Sequence, residues 1–145
     1  LRQRGTAAHN TVVVDGHDSS EVWSAFRVAR RARVHDVACA TDAAVLRLHA
    51  SHDGYRRLPG RVTHARAWCL DGLGLEVTDT LDGRFDTAEA RFHFAPGMML
   101  EHDVEGGTCR LEAGTWHPRF GESVPIQVLV VRFLQPRCRV KFRWS

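Results

Sequence analysis

An all-β fold, an antiparallel β-sandwich of about ten strands, is what this sequence predicts, and three observations carry the prediction. Turn signals are dense: Asp-Gly recurs at Asp15-Gly16, Asp53-Gly54, Asp71-Gly72 and Asp82-Gly83, with further breaks at Pro96-Gly97, Gly106-Gly107 and Gly114. Asp-Gly suits hairpin turns because both central residues tolerate positive φ. Between the turns the apolar residues recur at every second position, the period of a strand with one dry face. Two further runs, Thr11 to Val14 and Val128 to Phe133, are apolar without alternation, as in strands covered on both sides.

In chain order, Thr11 to Val14 forms the first strand. Residues 22–34 admit two readings. Phe26, Val28, Ala32 and Val34 share a face at period two, with Arg27, Arg31 and Arg33 opposite, whereas Val22, Phe26 and Ala29 also fit a helical face. The neighbouring strand signals favour a strand. Leu73, Leu75 and Val77 then alternate with Gly74 and Glu76. Ala88, Ala90, Phe92 and Phe94 alternate with Glu89, Arg91 and His93. At the end Val140, Phe142 and Trp144 alternate with Arg139, Lys141 and Arg143, which puts Trp144 in the core. No repeat, low-complexity tract or linker interrupts the pattern, so residues 1–145 read as one domain.

The composition, 43% hydrophobic and 26% charged, provides for a real core. No apolar run approaches the ~18–20 residues of a membrane span. Arginine supplies 19 of the 20 basic residues, Lys141 being the exception. GC-rich codons favour arginine, and guanidinium groups also make forked bonds to carboxylate and sulfate. A net charge of +3 permits an anionic partner without demanding one. Basic residues are scattered among acids, without the concentrated stripe of a nucleic-acid binder. Phosphate loops, nucleophile elbows and dinucleotide fingerprints are absent. Cys39, Cys69, Cys109 and Cys138 stand far apart in apolar surroundings, which excludes a zinc ribbon and suggests buried free thiols. Disulfides stay open, with three connectivities.

The opening stretch Arg4-Gly-Thr-Ala-Ala-His9-Asn10-Thr-Val-Val-Val-Asp15-Gly16 resembles the signature of heparinase II/III-like proteins, in which R-[SG]-T-x-A-H-N-T precedes a hydrophobic strand and Asp-Gly. The likeness continues through Ser19-Ser20-Glu21-Val22-Trp23, Arg27 to Ala32, His52-Asp53-Gly54-Tyr55, Arg91-Phe92-His93 to Pro96-Gly97, and Trp116-His117-Pro118-Arg119-Phe120-Gly121. The resemblance implies a C-terminal β-sandwich of the distorted, super-sandwich type, preceded by a helical toroid that begins upstream of Leu1. It implies cleavage of uronate-containing polysaccharides, such as heparinoids or alginate, by β-elimination. It also implies an active site between the two parts, built largely from the helical part and from a His-x-His lying before this segment. The chain opening on Leu1 and Arg2 agrees with an excised piece, for which no turnover of its own is expected. Bacterial family members act at the cell envelope or in the periplasm, and the same is expected here.

A β-eliminating lyase must neutralise the substrate carboxylate and supply a base and an acid near neutral pH. The single tyrosine, Tyr55, follows a turn and reads as structural, so no catalytic residue is assigned within this chain. His9 resembles a later zinc ligand of the family, whose partners are a histidine of the upstream His-x-His and an upstream aspartate. The plain alternative is a histidine packed at a strand entrance. Asn10 follows His9, so in a strand the two would point to opposite faces, and Asn10 reads as a turn or backbone-bonding residue as well as a substrate contact. Arg2 and Arg4 share a face if extended and are candidates for contact with an acidic polysaccharide, the alternative being a solvated chain end. His117 is a candidate from a loop near the site. The four tryptophans suit either sugar stacking or the core, with core the better fit for Trp68 and Trp116. Two competing readings are a carbohydrate-binding module and an architectural domain of an exopolysaccharide-cluster protein without lyase activity.

Overall fold

The computed structural model describes residues 4–24 and 27–144. Among them are twelve strands: β1 (Val12–Val14), β2 (Val22–Ser24), β3 (Arg27–Val28), β4 (Val34–Asp42), β5 (Val45–His52), β6 (Thr63–Leu70), β7 (Gly74–Asp82), β8 (Ala88–His93), β9 (Glu101–Glu105), β10 (Gly107–Trp116), β11 (Val124–Phe133) and β12 (Arg137–Arg143). A four-stranded sheet has the order β1-β8-β11-β10, and a six-stranded sheet the order β4-β5-β6-β7-β12-β9. The strands β2 and β3 form a separate ribbon. All pairings are antiparallel, so the all-β, antiparallel expectation holds.

The core lies between the inner faces of the two sheets. Ala88, Ala90 and Phe92 of β8 and Leu129, Val131 and Phe133 of β11 meet Val77 and Leu81 of β7 and Cys138, Val140 and Phe142 of β12. The Phe142 ring meets Phe92 edge-on at 5.1 Å and Phe94 at 6.0 Å. Each buried Val, Leu or Phe contributes roughly 1.5–3 kcal/mol against the entropy of ordering the chain. Val128 and Val130, on the other face of β11, are also buried, so this run is covered on both sides as its composition predicts.

Several expectations need correction. The segment 22–34 is not one strand. Ala29 N–H donates to the Glu21 carbonyl and Glu21 N–H to the Arg30 carbonyl, which folds it into the β2–β3 ribbon, while Phe26 lies outside the described residues. Leu73 is 76% exposed, not on a dry face, because Asp71 Oδ1 accepts the Leu73 and Gly74 amides at 2.8 and 2.9 Å and turns the chain before β7 begins. Trp144 is 42% exposed, lying past the end of β12. The thiols are all free, but only Cys138 is buried; Cys39 and Cys109 are exposed on the edge strands β4 and β10. Of the four Asp-Gly pairs, only Asp15-Gly16 has both φ values positive, 49° and 70°, closing a two-residue turn from Val14 to His17. Gly54 serves close packing instead: a Cβ there would lie 2.4 Å from the Ser19 carbonyl oxygen.

Candidate functional site

The segment before β1 is not a strand. Thr6–Ala8 is a single 3-10 turn, with Ala8 N–H bonded to the Gly5 carbonyl and His9 N–H to the Thr6 carbonyl. Thr6 anchors it. The Thr6 N–H donates to Asp18 Oδ1 at 2.6 Å, and the Ser19 N–H donates to Thr6 Oγ1 at 2.7 Å. Arg57 in turn clamps the carbonyls of Asp18, Ser19 and Gly54. The Asp18-Ser19 and Gly54-Tyr55 stretches are thereby tied to the opening motif, although they are distant in sequence.

This turn governs where His9 and Asn10 fall. Strand alternation does not apply, and both residues come out beside His93 at the end of β8. Asn10 Oδ1 accepts the His93 backbone N–H at 2.8 Å and its ring Nδ1–H at 2.9 Å. His9 is exposed, and close enough to His93 to disfavour a charge on it. Burial pushes the His93 ring below the usual imidazole range, Arg91 and His9 push the same way, and a bond to the Ala7 carbonyl opposes them.

Beneath Asn10 runs a buried polar string that the sequence reading missed. Asp79, 2% exposed on the core face of β7, accepts Arg66 Nε at 2.6 Å and Nη2 at 2.8 Å. It also accepts His64 Nε2–H at 2.6 Å. Burial pushes the Asp79 carboxyl up, but the Arg66 guanidinium and the His64 hydrogen bond outweigh it and hold it below the usual range. His64 Nδ1 meets His52 Nε2 at 2.9 Å, and the Gly54 N–H donates to His52 Nδ1 at 3.2 Å. Donor must face acceptor along this string, so each imidazole carries its proton on Nε2. The signal was present in the sequence: Asp79 is a lone acid among Leu75, Val77 and Leu81 on one strand face, and His64 and Arg66 share the period of Trp68.

The remaining candidates lie elsewhere. Arg2 is outside the described residues, and Arg4 is exposed ahead of the 3-10 turn. His117 follows β10, where its Nδ1–H donates to the Glu122 carbonyl at 2.9 Å. β10 and β1 are opposite edges of the four-stranded sheet, three strand spacings apart, or roughly 14 Å. The structure therefore brings His9, Asn10 and His93 together and leaves His117 apart. Tyr55 is fully buried, its hydroxyl donating to the Val12 carbonyl at 2.6 Å, and burial raises its pKa. No part of its ring is open to solvent.

Chemically, the surface offers two imidazoles and an amide. On the outer face of the same sheet, Glu89, Arg91, Arg110 and Glu112 form an ion-pair ladder with contacts of 2.8–3.3 Å. Among the described residues no group of three or more His, Cys, Asp or Glu side chains could hold a metal. No helix of the described residues is long and apolar enough to cross a membrane.

A family profile described as heparinase II/III-like, C-terminal, matches residues 2–109. Among solved structures, a mutant of the heparan sulfate lyase HepC from Pedobacter heparinus superposes with a TM-score of 0.69 at 12% identity. The match covers 98% of this chain and 25% of that one, so the chain spans about a quarter of the length of that lyase. At such identity the likeness establishes the fold. No curated protein matches.

Proposed function

The chain belongs to the heparinase II/III-like family as its C-terminal region, and on that footing we propose that it is the β domain of a polysaccharide lyase that acts on a uronate-containing acidic polymer. In this reading residues 1–145 are one domain of a longer chain, with a helical toroid upstream that closes the active site against it. The reaction is β-elimination. A base removes the proton beside the uronate carboxylate, the electron pair forms the ring double bond, and the glycosidic oxygen leaves with a proton from an acid. Base and acid come from the upstream part. This chain contributes a wall: His9 and Asn10, with Arg2 and Arg4 toward the polymer.

One observation carries the proposal. His9, the residue that ties the opening motif to catalysis, stands exposed beside His93 rather than packed into the sandwich. A zinc ion, held by His9 and by upstream ligands, would supply positive charge near the developing carboxylate charge. Asn10, tied to His93 and to Arg66, holds the His9 backbone in place. An enzyme of this kind would work in the periplasm or cell envelope.

The test is to compare the 145-residue chain with the longer protein on uronate polymers, following the absorbance of the unsaturated product. Turnover by the longer protein and none by the isolated chain is the expected pair. Turnover by the isolated chain would put the catalytic groups inside it and overturn the division of labour. A second reading, a carbohydrate-binding or architectural role without lyase activity, draws on the exposed Trp116 at the end of β10 and the exposed Phe120 in the loop that follows. Those rings suit sugar stacking. That reading prevails if the longer protein binds the polymer and never cleaves it.

A further inference from the structure

The ionic string beneath Asn10 does more than the chemistry above requires. Removing both Arg66 and Asp79 from water carries a desolvation cost, and apolar residues of similar volume often serve stability as well or better. The pair also makes a contact that reaches the surface residues above it. Two of the Arg66 donors, Nε and Nη2, are fixed by the Asp79 carboxylate. The third, Nη1, reaches the Asn10 carbonyl at 2.6 Å, one residue past His9. The guanidinium carbon lies 5.3 Å from the Phe92 ring centroid and 6.0 Å from that of Trp68. A planar fork held at one end by both carboxylate oxygens and flanked by these rings can present Nη1 in only one direction. Asn10 passes that constraint on, because its Oδ1 accepts both the backbone and the ring N–H of His93.

We propose that Arg66 is a positioning residue: clamped by Asp79, it fixes the His9–Asn10 backbone and, through the Asn10 side chain, the place of His93. The functional meaning rests on reading this surface as the wall of a lyase cleft; the mechanical claim does not. Lysine cannot replace the arginine, since a single ammonium cannot span both Asp79 oxygens and the Asn10 carbonyl in one plane.

Amide hydrogen exchange on the 145-residue chain tests this, with the His93 amide read against amides of the β10–β11 ladder. In Arg66→Lys, His93 is expected to exchange about tenfold or more faster relative to that ladder. Asn10→Ala should free the same amide and leave the ladder unchanged. Should Arg66→Lys fail to fold, the double variant Arg66→Met with Asp79→Leu removes both buried charges and should give the same local release. If His93 exchange rises in Arg66→Lys, or in that double variant, no more than the ladder does, the pair is only structural and the proposal is wrong. The longer lyase separates the two claims. Loss of His93 protection with an unchanged cleavage rate supports the positioning and sinks the cleft reading, whereas loss of both supports the two together.

Discussion

Tyr55 donates its hydroxyl to the carbonyl of Val12, 2.6 Å away and across 43 residues of chain, and so ties the loop after β5 to the first strand. Tyr55→Phe keeps the packing and leaves a buried carbonyl unpaired. The expected loss is about 1–2 kcal/mol of unfolding free energy by denaturant titration. The proposed longer lyase should keep its rate within about twofold, since the ring is fully buried. A rate collapse without a stability change would contradict the structural reading of Tyr55 and make it a proton-transfer candidate.

The histidine string makes stability depend on pH. Burial, reinforced by His64 and opposed by Asp53, lowers the His52 pKa to about 4. The unfolded chain takes up that proton near pH 6.5 and the folded one does not. His52 therefore contributes its full share of stability above about pH 6.5, and this share is lost as pH falls toward 4, by an amount on the order of 3 kcal/mol. Denaturation midpoints across that window should fall for the wild-type chain and fall less for His52→Gln. Equal slopes in the two proteins would show that other groups govern the acid limb.

Two glycines that look alike in the sequence should behave oppositely. An added Cβ at Gly54 meets the Ser19 carbonyl oxygen at 2.4 Å and the Ala32 Cβ at 2.9 Å. Backbone cannot yield cheaply there, so Gly54→Ala should cost about 1–3 kcal/mol, as overpacking does. Gly72 faces open space without a positive φ. Gly72→Ala should be neutral or stabilise by up to about 1 kcal/mol through the unfolded state. Melting curves of the two variants side by side decide the matter.

The thiols should separate by reactivity. Burial pushes the Cys138 thiol up to about 11, which keeps it protonated and inert at neutral pH. Cys39 and Cys109 are exposed. Iodoacetamide should label those two in the native chain and reach Cys138 only after unfolding, as read by peptide mass spectrometry. Prompt native labelling of Cys138 would contradict its placement between the sheets.

The strand pattern was legible where burial is one-sided. Ala88 to His93 alternates in the structure as it does in the sequence, because one face of β8 meets the core and the other carries the ladder of Glu89 and Arg91. Periodicity misled at strand ends: Leu73 and Trp144 carry the apolar beat one residue outside β7 and β12. It also placed His9 and Asn10 on opposite faces, since nothing in the local sequence announces that Thr6 is tied to Asp18 and Ser19 and holds the segment in a turn. The buried string is tertiary by nature. His64 and Arg66 come from β6 and Asp79 from β7, and only the β6–β7 register, Arg66 opposite Asp79, makes them neighbours. His9 could be singled out from the opening motif alone; its companion His93, 84 positions on, could not be paired with it until the fold was in hand.

The role proposed for His9 can be measured directly in the proposed longer lyase. Steady-state formation of the unsaturated product, with zinc content determined on the same preparations, should be compared for wild type and His9→Ala. The variant is predicted to lose about tenfold to a hundredfold or more of the rate, with reduced zinc, while its melting temperature is preserved. An unchanged rate together with unchanged zinc would remove His9 from the active site and the β domain from the cleft.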